Sequence, residues 1–162
     1  MDALVGIGTD PLDATRLAEV VAASAGADGA HGAVVTFLGI VRGSNAGRAV
    51  RYLEYEAFEP LALRTFRLIV EEAGGRWPGV RVGLHHRVGR LMPGETSVII
   101  AAASAHRGNA FAACRYAIER VKQIAPVWKR EFFEGGDVWI EGATADPSDE
   151  AAREEAFRRA CT

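Results

Sequence analysis

Ser97-Val98-Ile99-Ile100-Ala101-Ala102-Ala103-Ser104-Ala105-His106-Arg107 is the stretch on which the fold turns. From Val98 to Ala103 it is apolar without a break, short enough for a strand and greasy on both faces, so it reads as a buried strand. From about Gly108 to Ala125 the pattern changes. Phe111, Cys114, Ile118, Val121 and Ala125 recur at i, i+3/i+4 spacing, which predicts a helix with one face on the core. His106 and Arg107 then fall at a strand-to-helix junction. Free backbone N–H groups and the positive end of the helix dipole favour an anion there, and a guanidinium adds paired hydrogen bonds to phosphate or carboxylate.

Beyond the helix, Pro126 ends the helical pattern and turns the chain into a strand running through Val127-Trp128-Lys129-Arg130-Glu131. Lys122, in the last helical turn, has two readings. One is a solvated flank where Arg115, Glu119 and Lys122 pair along the helix for ~0.2–0.5 kcal/mol each. The other is convergence with Lys129 just past the proline. On the second reading His106, Arg107, Lys122, Lys129 and Arg130 meet in one cleft.

Ahead of this core, Ala3 to Gly8 reads as a short strand, and Asp10-Pro11-Leu12-Asp13 opens a helix, with Asp10 as cap and proline at the first helical position. Gly6-Ile7-Gly8 lacks the third glycine of a dinucleotide fingerprint. Gly32 to Val41 is a buried strand that delivers Arg42 to a loop of turn formers, Gly43 to Arg48. Val50 to Ala57 alternates, as a half-exposed strand does. Glu59 to Ala73 predicts a helix stopped by Gly74-Gly75. Two strands flank Met92-Pro93-Gly94, and adjacent His85 and His86 point to opposite faces of the first, so they cannot share a metal. A hairpin is expected around Gly135-Gly136, its aromatics belonging to a core or a subunit interface. From Ala143 the chain reads as a tail, with an amphipathic helix capped by Ser148 and flanked by solvated charges.

The 162 residues, 49% apolar and 25% charged, suffice for one core. A net charge of -2 provides no global field for nucleic acid, so any anion site must be local. There is no apolar run long enough to span a bilayer and no secretion signal, so a cytoplasmic protein is expected. Cys114 and Cys161 suggest neither a disulfide framework nor a metal site.

Four separated motifs carry a resemblance: Thr36-Phe37-Leu38-Gly39-Ile40-Val41-Arg42, Ser104-Ala105-His106-Arg107, Lys122, and Ala125-Pro126-Val127-Trp128-Lys129-Arg130-Glu131. Together they resemble the large, catalytic subunit of molybdopterin synthase, from roughly Val5 to Gly142. The resemblance implies an α+β fold of the α/β hammerhead type over residues 1–142, with 143–162 outside it. It implies a sulfurtransferase that converts a cyclic pterin monophosphate to molybdopterin, taking sulfur from the thiocarboxylated Gly-Gly C-terminus of a small ubiquitin-like subunit. The implied assembly is a homodimer within a heterotetramer, with no metal or cofactor. Since the chain ends Ala160-Cys161-Thr162, it is not expected to be the sulfur carrier itself.

On this resemblance Lys122 is the general acid/base and Lys129 its electrostatic partner or second proton carrier. Ile40, Val41, Arg42, His106, Arg107, Arg130 and Glu131 complete the substrate-binding set. Some relatives carry an arginine after the last strand where this chain has Gly142-Ala143, which leaves Arg48 or Arg153 to fill in, or one charge fewer. The rival readings are a non-catalytic relative that docks a ubiquitin-like partner or a phosphorylated metabolite, and a phosphate-ester hydrolase. The hydrolase lacks clustered metal ligands and an evident nucleophile.

Overall fold

The computed structural model describes residues 3–24, 29–140 and 142–162. In chain order the elements are β1 (Val5–Gly8), α1 (Ala14–Ala23), β2 (Ala33–Ile40), β3 (Ser44–Asn45), β4 (Arg48–Ala57), α2 (Glu59–Arg76), β5 (Arg81–Arg87), β6 (Gly89–Leu91), β7 (Thr96–Ser104), α3 (Arg107–Ile124), β8 (Val127–Phe133), β9 (Gly136–Ile140) and α4 (Glu150–Ala160). They form two sheets. The first runs β1-β5-β7-β2, parallel between β1 and β5 and antiparallel elsewhere. The second runs β3-β4-β8-β9, with β6 also on β4. This is a mixed α+β domain, as the motif resemblance implies.

The apolar run becomes the inner strand β7, and its period of two sorts the core. Val98, Ile100 and Ala102 face Phe66 of α2 and Tyr116 and Ala117 of α3. Ile99, Ala101 and Ala103 face Leu17 and Val21 of α1. Beside them Gly83 must be glycine, because a Cβ there would stand 2.7 Å from both Leu17 Cδ1 and Val21 Cγ2. Small residues along β7 and β5 let helices approach the sheet closely on both faces.

Four local expectations are corrected. Helix α1 starts at Ala14 rather than Asp10, because the Asp13 carboxylate accepts from Arg16 N at 2.8 Å and is the true cap. Likewise α4 is capped by Asp149, whose carboxylate accepts from Ala152 N at 3.0 Å, while Ser148 bonds to Asp146 instead. Gly74-Gly75 does not stop α2, which continues to Arg76. Arg76 lies over Phe157 and Trp77 packs against Tyr116, so tertiary contacts outweigh the glycine penalty. On α3, Phe111 points outward at 62% exposure, and the buried face includes Tyr116 and a fully enclosed Arg120.

Arg120 survives burial because its guanidinium forks onto Glu72 of α2, with Nε donating at 2.8 Å and Nη2 at 2.8 Å. Above this pair, α4 lays Ala156, Phe157 and Ala160 against the core and turns its charges to solvent.

Candidate functional site

Where the two sheets meet, a cleft of about 190 Å³ opens between the end of β2, the last turns of α3 and strand β8. Ile40, Val41 and Arg42 enter it from the end of β2, Ile118 and Lys122 from one side of α3, and Lys129 and Glu131 from β8. Register explains the last pair. Lys129 opposes Tyr55 of β4, Glu131 opposes Leu53, and alternate residues of both strands face the cleft.

The same alternation removes Arg130. It opposes Glu54 on the other face, donates from Nε to Asp137 at 2.9 Å, and stacks over Phe132 and Trp139. His106 and Arg107 are also absent from the cleft. They sit exposed at the opposite end of α3, and 15 residues at 1.5 Å each put Arg107 roughly 22 Å from Lys122 along the helix. Of the five cations expected to meet, Lys122 and Lys129 do so within one chain, and Arg42 joins them.

Charge in the cleft is tuned by its walls. Lys122 is open to solvent at the mouth, yet the protein packed around it lowers its pKa, and the neighbouring Lys129 lowers it further. Lys129, half-buried, is lowered chiefly by burial, with Glu131 opposing the shift and Arg42 adding to it. Glu131 is 3% exposed. Asn45 donates to its Oε2 at 2.9 Å and Arg48 Nη2 lies 3.7 Å from its Oε1. Arg48, stacked over Phe133 at 4.4 Å, thus reaches the back of the cleft wall, whereas Arg153 pairs within α4.

A second cavity of about 240 Å³ shares Tyr55, Lys122 and Lys129 with the first and adds His86, Val127, Gly142 and Thr144. His86 is buried between Tyr55 and Phe66, with Nδ1 2.8 Å from the carbonyl of Arg87, and burial lowers its pKa to about 4. The sequence marks His86 only as a strand residue that points away from His85. Tyr55 was visible only as one of several residues on the inner side of an alternating strand. No group of three or more residues able to hold a metal occurs among the described residues.

The family model described as MoaE protein matches residues 7–124. The chain belongs to the MoaE family of molybdopterin synthase catalytic subunits. A MoaE relative from Nostoc sp., a molybdopterin synthase catalytic subunit, is 49% identical over 115 residues, covering 70% of each chain. The crystal structure of molybdopterin synthase from Staphylococcus aureus superimposes with a TM-score of 0.80 at 37% identity, over 87% of this chain and 98% of that one. A complex of subunits 1 and 2 of the molybdopterin-converting factor from Helicobacter pylori shares the fold, with a TM-score of 0.69 at 24% identity over 85% and 90% of the chains. No helix among the described residues is long and apolar enough to cross a membrane.

Proposed function

We propose that the cleft between the sheets binds the phosphate and pterin of a cyclic pterin monophosphate and receives the thiocarboxylated tail of a small ubiquitin-like subunit. Both ligands are anions. Arg42 suits the phosphate through paired hydrogen bonds, and Lys129 adds a fixed charge. Lys122 carries the proton that sulfur addition to the pterin side chain requires; water then cleaves the thioester between sulfur and tail, which releases the tail as a carboxylate and returns a proton to the lysine. A lysine needs a depressed pKa to exchange protons near neutrality, and both lysines are shifted in that direction. Ile40 and Val41 supply apolar lining, and Glu131 orients the basic groups.

The observation that carries this reading is the convergence of Lys122 and Lys129, from different elements, on one cleft with Arg42 at its rim. That the H. pylori neighbour is a complex of subunits 1 and 2 of the molybdopterin-converting factor supports a partner subunit. His106 and Arg107 belong, on this reading, to the site of a second copy in a homodimer inside a heterotetramer, since neither reaches its own chain's cleft. Arg130 acts only on the outer face of β8. On this reading the reaction takes place in the cytoplasm and without a cofactor.

The test is incubation of the chain with pterin precursor and thiocarboxylated small subunit, followed by assay for dithiolene product. Product that disappears in Lys122→Ala, with partner binding retained, supports the assignment. Binding of both ligands without product would favour the non-catalytic alternative.

A further inference from the structure

The last turn of α3 is tied down by a segment that follows it by some twenty residues. A helix leaves its final carbonyls without helical partners. Here the carbonyl of Gln123, the residue after Lys122, accepts from Thr144 N at 2.8 Å and Ala145 N at 2.9 Å. Its side-chain Nε2 donates to the Ala152 carbonyl at 2.8 Å, and its Oε1 accepts from Arg120 Nη1 at 3.0 Å. Arg120 also reaches the carbonyl of Pro147 at 3.4 Å while forked onto Glu72. The same segment supplies Gly142 and Thr144 to the wall of the cavity that Lys122 and Lys129 share. On the other side of Lys122, Val121 is held in the core at 5% exposure.

The geometry points to Gln123 as a positioning residue for Lys122, holding the last turn of α3 to a strap formed by residues 142–152. Gln123 itself lines neither cavity; it acts through the backbone of its neighbour. This inference rests on the reading of Lys122 as proton carrier. Loosening the strap frays the turn and parts the protein walls that still shield one side of the ammonium, which increases hydration of the charged form. The groups that face Lys122 from the surrounding elements are Lys129 and Glu131 on β8, Arg42 after β2, Tyr55 on β4 and His86 on β5. None of them is attached to the strap by a hydrogen bond described for it, so their charges stay in place when the strap is cut.

The experiment compares the full chain with Gln123→Ala, with Thr144→Pro, which removes one N–H donor, and with Arg158→Ala, whose partner Glu155 lies on the same helix. Lys122 is titrated by NMR of isotopically labelled lysine side chains. In both strap variants its midpoint moves up by roughly half a pH unit or more toward the ordinary lysine value. Turnover with pterin precursor and thiocarboxylated small subunit falls about tenfold in kcat with KM for the pterin little changed, because orientation and not phosphate binding is lost. Arg158→Ala changes neither.

Slow amide exchange at Thr144 and Ala145 in the parent chain is expected; exchange at the rate of open coil would overturn the strap. So would an unmoved Lys122 midpoint in folded Thr144→Pro. If Gln123→Ala fails to fold, Thr144→Pro and the parent's exchange decide. A parent chain that makes no dithiolene product defeats the proposed function, whereas titration and exchange still judge the strap.

Discussion

The two ends of α3 are built for different work. At its start, His106 and Arg107 stand exposed, and His106 caps the helix without a side-chain hydrogen bond. At its end, Lys122 is flanked by a core valine and a strapped glutamine and looks into a walled cleft. One end offers charge to whatever arrives from outside, and the other holds charge in a prepared setting. The lesson is that residues sharing a helix need not share a site, since roughly 22 Å of helix keeps these apart.

The largest expected effect is at the prepared end. Lys122→Ala is expected to lower dithiolene formation by roughly 10²–10⁴-fold, in line with loss of a proton carrier, and to leave unfolding by denaturant nearly unchanged because the side chain is open to solvent. Equal turnover in the variant would show that residue 122 carries no proton in the reaction.

Next comes the support beneath that end. Glu72→Ala strands the enclosed guanidinium of Arg120 and is expected to cost ~3–5 kcal/mol in urea unfolding. A loss under ~1 kcal/mol would show that Arg120 finds water or another acceptor.

Acid sharpens the contrast further. His86, in the cavity next to Lys122, keeps its neutral form in the folded chain down to about pH 4, whereas the unfolded chain protonates it near 6.5. Stability is therefore lost as pH falls from about 6.5 through about 4, by up to ~3 kcal/mol, and none of this contribution changes above that window. In a series of denaturant unfolding curves, His86→Phe is expected to flatten that slope; an unchanged slope would move its origin elsewhere.

The smallest effect tests the outward end. Arg107→Ala removes a charged donor worth ~1.5–3 kcal/mol if it serves a second copy's site. Mixing it with Lys122→Ala is then expected to restore about a quarter of parental turnover, through mixed dimers carrying one intact cleft. No recovery on mixing would place Arg107 outside any shared site.

Much of the fold was legible because β7 is an unbroken apolar run and because Cys114, Val121 and Ala125 recur at helical spacing on α3 and its C-cap and are buried there. The pocket placement of Lys129 and Glu131 but not Arg130 was also implicit in a strand's alternation, which the basic run Lys129-Arg130 hid by presenting two neighbouring charges as one patch. His106 and Arg107 fall at the start of α3 and Lys122 in its last turn, as the sequence indicates, but the length of that helix forbids the two ends from meeting in one chain's cleft. Arg120 was invisible, since its burial depends on Glu72, 48 residues earlier. Phe111 fitted a helical stripe that the structure rotates, and only the crowd of alanines at 110, 113 and 117 hinted that the inner face was the small one.

Lys122 hangs from a helix that leans on one sheet, Lys129 is woven into the other, and the corner at Ala125-Pro126 is the short covalent link between them. Their separation is thus an interlayer dimension, set by how two plates are tilted and not by the internal geometry of either. A substitution at Leu91 of β6, buried with Val41, Val50 and Leu53, is positioned to alter that tilt and so detune proton exchange, while each plate keeps its own ladder of hydrogen bonds intact.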